Sequence, residues 1–261
     1  LRRSDATFAV LFDGTQKIAS SDDLIATMNE DGVDIAVAVG YGWCDFDLAR
    51  ISNDYLLEAG KRYPDKVIPF CSVHPDWGNV ALKELERCVS QGARGIGELH
   101  PTSQEFDLET NLNLNAIMEF ARAHHLPLMV HGSEPVGHSY PGKGKTRPEA
   151  LWAFARRYPE NIIVCAHWGG GLPFYKLMPE VKVDLGNVFF DSAASPYLYE
   201  EAIFSLGAMA AGEKHILFAS DFPLIRPKRV LDQIYTAFKI PDMEKSLDAI
   251  LYRNAQNLLG L

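Results

Sequence analysis

The sequence has few cysteines, no excess of positive charge and no long apolar run. Four cysteines are spread over 261 residues without a Cys-x-x-Cys pair, so buried free thiols and a reducing, cytoplasmic setting are expected rather than disulfides. The formal net charge of -9 argues against a nucleic-acid scaffold, which usually presents a basic face. No apolar run approaches the length of about 20 residues that a membrane span needs.

Two further absences narrow the class of protein. The glycine-rich signature of dinucleotide-binding sheets does not follow the first predicted strand. A signal-peptide pattern is also missing, although the chain begins at Leu1 rather than at a methionine. The expected partner is therefore a small-molecule substrate, with no nucleic-acid or membrane partner. A homodimer is the general expectation for a soluble oligomer.

Seven apolar runs recur at intervals of about 25 to 35 residues, and a helical pattern follows each of them. These predicted strands cover residues 33–40, 67–73, 93–99, 126–130, 162–165, 188–191 and 216–219. Residues 8–12 could be a further short strand or an irregular lead-in. The βα repeat predicts a single α/β domain over residues 1–261, a TIM (β/α)8-type barrel, with a doubly wound open sheet as the alternative.

Side chains that can bind metal or carry protons follow four of these runs, where each strand should end. They are Glu98, His131, His167 and Asp221. The carboxyl ends of the strands in a barrel meet at one mouth, and a divalent metal such as zinc takes histidine nitrogens and carboxylate oxygens. We therefore expect the four side chains to share one metal site.

Each of these residues also has a structural interpretation. Either histidine could be a hydrogen-bonded core residue, Glu98 could cap the next turn, and Asp221 could start an Asx turn. Asp191, at the end of the run at 188–191, is a fifth candidate, as a substrate contact or as a turn cap.

The segment at residues 134–147 is rich in glycine, proline and lysine, which is typical of a functional lid. Its basic charge could attract an anionic substrate. Within it, His138 and Tyr140 are the candidate substrate contacts, because prolines bracket them. Arg226 could clamp a carboxylate, and Trp168 could line an apolar pocket wall or pack in the core.

Three motifs resemble the fifth-, sixth- and eighth-strand signatures of the amidohydrolase superfamily. They are Val130-His131, Ala166-His167-Trp168-Gly169-Gly170-Gly171 and Phe218-Ala219-Ser220-Asp221-Phe222-Pro223. The phrase Glu30-Asp31-Gly32-Val33-Asp34 ahead of a strand is similar to the amidohydrolase-related branch, which includes aminocarboxymuconate-semialdehyde decarboxylase and lactone hydrolases.

The resemblance implies a metal-dependent barrel enzyme. In it His131 is a metal ligand, and His167 is a second ligand or a proton donor beside the metal. Asp221 is a ligand that also takes a proton from metal-bound water. Glu98 matches a fourth-strand position that bridges a second metal in some branches.

One feature departs from the family pattern. The first strand of the family ends in His-x-His, whereas the first histidine of this chain is His74. We expect that the strand carrying this pair is missing from the chain. A chain that is naturally this short would lack two metal ligands, and its barrel would have a gap with exposed strand edges.

The predicted function is hydrolysis of an ester, lactone or amide bond of a small anionic substrate by metal-activated water, with zinc as the expected metal. The same ligands would also serve non-oxidative decarboxylation of an unsaturated or aromatic carboxylic acid. A metal-free barrel with a binding or structural role is the third interpretation, and the missing His-x-His is its support.

Overall fold

Seven short parallel strands form the centre of the structure, a computed structural model that describes residues 5, 8, 18–239 and 244–261. The strands are β1 (Ala36–Ala38), β2 (Val67–Pro69), β3 (Ile96–Leu99), β4 (Leu128–Val130), β5 (Ile163–Cys165), β6 (Val188–Asp191) and β7 (Ile216–Leu217). β1 pairs with β2, and β3 to β7 form a five-stranded sheet in chain order. A bridge between Cys71 and Ile96 joins the two sheets.

Helices connect the strands, as the βα repeat predicts. They are α1 (Ser21–Asp31), α2 (Phe46–Arg62), α3 (Asn79–Ser90), α4 (Leu114–Ala123), α5 (Pro148–Arg157), α6 (Pro179–Asp184), α7 (Ser195–Leu198), α8 (Ala202–Ala211), α9 (Pro227–Ala237), α10 (Glu244–Asp248) and α11 (Asn254–Leu259). Short 3₁₀ segments cover Pro75–Trp77, His167–Leu177 and Glu213–His215, and a π-helical turn covers Ala249–Arg253. The predicted parallel α/β class with sequential strands is confirmed.

The sheet does not close into a complete ring within the described part of the chain. Pairing runs from β1 through to β7, and no described strand hydrogen-bonds β7 to β1. The possible strand at residues 8–12 lies, apart from residue 8, outside the described residues. The carboxyl ends of all seven strands nevertheless face the same side, because every pairing is parallel.

The predicted strands are present but shorter than their apolar runs. The helical pattern predicts one helix near residues 172–179 and another at about 198–209. The first is instead a 3₁₀ segment followed by α6, and the second is split into α7 and α8. The first difference follows from Gly169 to Gly171, whose φ angles are all positive and interrupt any continuous helix after β5. The pattern of apolar residues therefore predicts that an element exists more reliably than it predicts where the element begins and ends.

Two helix starts differ from the sequence prediction. The sequence pattern predicts Ser21 as the cap of α1, but the side chain of Ser20 accepts a hydrogen bond from the backbone N–H of Asp23. The carboxylate of Asp23 in turn accepts one from the backbone N–H of Ser20. Thr146 and Glu149 have the spacing of a capping box, which predicts Thr146 as the N-cap of the next helix, and this prediction is wrong. Arg147 occupies the N-cap position of α5 without a side-chain cap, and Pro148 begins the helix directly after it. The carbonyl of Thr146 accepts a hydrogen bond from the backbone N–H of Ser133.

The core lies between the strands and the helices that cover them. All three residues of β2 and of β5 are buried, as expected for strands covered on both faces. Its largest fully buried side chains include Trp168, Phe154, Phe190 and Phe204. All four cysteines are free, which confirms the expectation of unpaired thiols. No helix in the described residues is long and apolar enough to cross a membrane.

Candidate metal centre

Glu98, His131 and His167 meet at the carboxyl ends of β3, β4 and β5. One ligand atom from each lies within 4.8 Å of the others. The Oε1 atom of Glu98 is 3.0 Å from Nδ1 of His131 and 3.9 Å from Nε2 of His167. The strand order explains this meeting, because the three residues end neighbouring strands of one parallel sheet.

The chain bends sharply after β5, and this bend turns His167 into the cluster. His167 and Trp168 adopt positive φ angles of 54° and 57°, followed by three glycines. Gly170 has no room for a side chain, since a Cβ atom there would lie 2.1 Å from the carbonyl oxygen of Ser133. The glycine run therefore lets the segment after His167 pack directly against the segment after His131.

Asp191 and Ser192, at the end of β6, tie the neighbouring strand ends together. Oδ1 of Asp191 accepts hydrogen bonds from the backbone N–H of His167 at 3.0 Å and of Ala193 at 2.9 Å. The hydroxyl of Ser192 donates to the carbonyl of Ala219 and accepts from its N–H. Through these contacts β6 fixes the backbone of His167 on one side and the approach to Asp221 on the other.

Asp221 lies on the same side of the sheet, outside the three-residue cluster. Its φ of 70° is unusual for a residue with a side chain, although aspartate tolerates this region better than most. The residue is exposed to solvent, yet protein surrounds its carboxyl closely enough that desolvation raises the pKa, against the opposing charge of His167. Asp221 thus lies close enough to the cluster for the charges of His167 and Glu98 to act on its carboxyl.

The charges of the cluster are strongly coupled. Desolvation opposes ionisation of Glu98, but His131, His167 and His100 together lower its pKa to about 2. Desolvation also opposes the imidazolium of His167, but Asp221, Glu98 and Asp191 raise its pKa to about 9. Desolvation raises the pKa of Asp191 to about 6. The site therefore holds several carboxylates around His167, which favours positive charge there.

His100 supports one ligand of the cluster. Its ring stacks on His131 with 4.0 Å between ring centroids, and its Nδ1 accepts a hydrogen bond from the backbone of Ser103. Desolvation, followed by the charge of His131, lowers the pKa of His100 to about 4. A neutral ring at this position packs against His131 without adding positive charge.

The segment at 134–147 lies over the cluster, as a lid would. The carbonyl of Lys143 is 3.3 Å from Nε2 of His131, and the carbonyl of Gly142 is 3.4 Å from Nε2 of His100. The ammonium of Lys143 donates to the carbonyls of Val136 and His138. This lysine therefore stabilises the segment, and its ammonium contacts backbone carbonyls of the same segment.

The predicted substrate contacts are found in different settings. His138 is exposed at 5.8 Å from the ring of Tyr140, whose hydroxyl donates to Glu134. Arg226 forms ion pairs with Glu30 and Asp31 at the end of α1. Trp168 is fully buried, and its Nε1 donates to Ser195. The carboxylate of Asp191 accepts hydrogen bonds from backbone N–H groups, as described above.

Three residues that contribute to the site are not among the candidates predicted from the sequence. Glu134 is held by Tyr140, and its other carboxylate oxygen is buried without a hydrogen-bond partner. Ser192 bridges β6 and β7, and His100 stacks on His131. His100 lies one residue and Glu134 four residues beyond a predicted strand end, so both belong to the loops at the carboxyl ends of the strands.

A divalent cation fits the donor set of the cluster. Two imidazole nitrogens and one carboxylate oxygen are a common catalytic set, and ligands around one cation at about 2.0–2.2 Å lie some 3 to 4 Å apart. The measured separations of 3.0 and 3.9 Å from the Glu98 oxygen lie in that range. The excess of carboxylates nearby, from Asp191 and Asp221, adds to the attraction for a cation.

Solved structures with the same fold include decarboxylases of aromatic acids. One is 2,6-dihydroxybenzoate decarboxylase from Rhizobium, with a TM-score of 0.74, 17% identity, and coverage of 96% of this chain and 94% of that chain. Another is 5-carboxyvanillate decarboxylase from Sphingomonas paucimobilis, with a TM-score of 0.70, 16% identity, and coverage of 98% and 95%. At these identities the likeness concerns the fold.

A third similar structure, dihydroxybenzoic acid decarboxylase from Polaromonas sp. JS666, contains bound manganese and the inhibitor 2-nitroresorcinol. It aligns with a TM-score of 0.72 and 18% identity over 98% of this chain and 90% of that chain. No curated protein matches the sequence. The sequence profile of the family described as Amidohydrolase matches residues 19–261, nearly the whole chain. The chain therefore belongs to the amidohydrolase family.

Proposed function

We propose that the chain is a metal-dependent enzyme that removes carbon dioxide, without oxidation, from a small aromatic or unsaturated carboxylic acid. The observation that carries this proposal is the setting of His167. Its Nδ1 is 3.2 Å from the carbonyl of Ala193, and its Nε2 faces Glu98 in the cluster. Three carboxylates around it raise its pKa to about 9 against desolvation, so it can hold a proton at neutral pH.

Glu98 and His131 would hold the divalent metal, with Asp221 as the predicted third ligand. A divalent metal held there would supply Lewis-acid stabilisation of negative charge on the oxygens of the substrate. Zinc is the metal expected from the sequence, and manganese is the metal in the Polaromonas structure, so both belong in any test. Free thiols in the described chain support the cytoplasmic setting expected for such an enzyme.

His167 would then act as the general acid of the reaction. The bond between the substrate carbon and its carboxylate breaks, its electron pair stays on that carbon, and Nε2–H of His167 donates a proton there. The carbonyl of Ala193 keeps the ring oriented during this transfer. Asp221, which faces both solvent and His167, is placed to restore the proton afterwards.

The lid segment and Tyr140 would border the substrate. Tyr140 is a half-buried residue of the lid segment, and its hydroxyl donates a hydrogen bond to Glu134. Desolvation and that hydrogen bond raise the pKa of Tyr140, so it stays a neutral donor. We retain Tyr140, with the exposed His138 beside it, as the predicted contacts for ring hydroxyls or a carboxylate. The named acids of the similar decarboxylases support this substrate class.

Hydrolysis of an ester, lactone or amide is the second candidate, and Asp221 is the observation in its favour. Desolvation raises its carboxyl pKa, which makes it a better base than an ordinary aspartate. In that reaction Nε2 of His167 would be the third metal ligand instead of a proton donor. One nitrogen cannot do both, so the two candidates predict different behaviour of a His167 variant.

The test combines a substrate panel with the His167→Asn variant. Wild-type protein loaded with manganese or zinc is assayed on hydroxylated aromatic acids, unsaturated acids, lactones and esters. Release of carbon dioxide without hydrolytic product supports decarboxylation. His167→Asn should then keep its metal while losing turnover.

Hydrolytic product alone, with loss of metal from His167→Asn, would replace the proposal by the second candidate. The exposed His138→Asn is the matched control, since it makes the same chemical change outside the cluster and should leave metal content unchanged.

A further inference from the structure

A second cleft lies at the opposite end of the strands from the metal centre. Its volume is about 430 Å³, and its lining includes Lys176, Lys182, Gly186, Glu213 and Lys214. Gly186 comes just before β6, and Glu213 and Lys214 come just before β7. This basic cleft therefore opens at the amino ends of two strands, whereas the metal centre lies at carboxyl ends.

Lys176 is the unusual member of the basic cleft. Only 5% of its surface is exposed, although buried lysines are rare without a partner. No carboxylate, carbonyl or hydroxyl of the described residues accepts a hydrogen bond from its ammonium or forms an ion pair with it. The ammonium thus lines the cleft with its donors unused.

The neighbouring charges do not neutralise Lys176. Desolvation, followed by the charge of Lys182, lowers its pKa to about 8. His215 also lines the cleft and is close enough for the charge of Lys176 to act on it. Glu213 is the one acidic residue of the lining, and its carboxylate accepts a hydrogen bond from Ser246 instead. Three lysines and one glutamate leave the cleft positive in a chain of net charge -9.

We propose that the basic cleft binds a small multivalent oxyanion, such as phosphate, a phosphate monoester or a dicarboxylate. Such an anion would take up the unused donors of Lys176 and offset three like charges at once. Lysine suits this ligand class because its ammonium acts as a point charge toward phosphate. Lys176 belongs to the same 3₁₀ segment as His167, so occupancy of the cleft would also steady the segment that carries a candidate metal ligand.

Titration calorimetry of the full chain with inorganic phosphate and with succinate, at constant ionic strength, tests the proposal. The wild type should bind at least one of them with a dissociation constant of about 1 mM or below, and the tighter of the two identifies the anion class. Lys176→Met, which keeps the aliphatic stem, should weaken binding about tenfold or more. Lys182→Ala and Lys214→Ala, both exposed positions, should each weaken it about threefold.

Two controls separate this cleft from the metal centre and from general charge. Lys83→Met removes an exposed lysine on α3, outside the cleft, and should leave binding unchanged. Glu98→Gln alters the metal centre and should also leave anion binding unchanged. The proposal is overturned by absence of wild-type binding up to about 10 mM, by lysine variants that all bind as the wild type does, or by loss of binding in Glu98→Gln.

Discussion

Buried charged side chains at the two ends of the strands have opposite surroundings. At the carboxyl ends, Glu98 lies 3.0 Å from His131, and carboxylates surround His167. At the amino ends, Lys176 is also buried, but its neighbours are like charges and a glutamate whose carboxylate accepts a hydrogen bond from Ser246. The first end has an excess of acceptors suited to a cation, and the second has an excess of donors suited to an anion. The sign of the uncompensated charge at each end therefore indicates which class of ligand that end can bind.

The largest effect is expected when residues of the metal centre at the carboxyl ends of the strands are replaced. The double variant Glu98→Gln, His131→Ala removes the two proposed metal ligands of the cluster, so bound metal should be lost and turnover should fall by about a thousandfold or more. Metal analysis and an activity assay measure this. Glu86→Gln, on the exposed face of α3, is the matched control. Near-normal turnover in the double variant would refute the assignment.

The next effect concerns the bend that brings His167 into place. Gly170→Ala should lower the free energy of unfolding by about 3 kcal/mol, because the new Cβ would lie 2.1 Å from a carbonyl oxygen at a φ of 63°. Denaturant unfolding measures it. Gly186→Ala is the control, because its Cβ would meet nothing nearer than 4.0 Å. Equal stability of the two variants would contradict the packing argument.

A smaller effect should follow from Asp191, which orients His167 through its backbone. Asp191→Ala leaves the N–H groups of His167 and Ala193 without their acceptor, and should reduce metal affinity or turnover by about 10- to 100-fold. Asp191→Asn keeps an accepting oxygen and should recover most of the loss. If Asn were as impaired as Ala, the negative charge rather than the hydrogen bonds would be the important property.

The smallest expected effect concerns the contribution of Lys176, at the amino ends of the strands, to stability. Lys176→Met should raise the free energy of unfolding by about 1 kcal/mol at pH 7 without added anion, since it removes an unpaired buried ammonium. The pKa of Lys176 is lowered from 10.5 to about 8, so the unfolded chain binds more protons between these values. Wild-type stability should therefore gain with rising pH there, relative to Lys176→Met.

Unfolding curves at pH 7 and pH 9.5 measure this difference between the two proteins. A difference that stays constant with pH would mean that Lys176 titrates normally, and a destabilised Lys176→Met would mean that its charge has a partner.

The sequence identified the strand ends well for a physical reason. Each buried parallel strand is a short apolar run, so the first polar residue after it marks the carboxyl end, as with His131 and His167. Neighbouring strands of one sheet then bring these residues together. That logic extends to Glu98 and to the position of Asp221 on the same side.

Residues whose partners come from distant parts of the chain were beyond sequence reasoning. Arg226 pairs with Glu30 and Asp31, nearly 200 positions away, and no local pattern indicates this ion pair. The basic cleft likewise gathers Lys176 and Lys214 from separate segments. Asp191 was found as a candidate, but its hydrogen bonds to backbone groups depend on a register that apolar periodicity does not determine.

Metal stoichiometry tests the central claim most directly. The sequence has no His-x-His pair, so the proposed centre depends on Glu98 from β3, on His131 after β4 and on Asp221. After incubation with manganese or zinc and removal of excess metal, we expect about one equivalent in the wild type and less than about a tenth in Glu98→Gln, His131→Ala. Less than a tenth of an equivalent in the reconstituted wild type, or equal metal in both proteins, would contradict the account and favour a metal-free barrel.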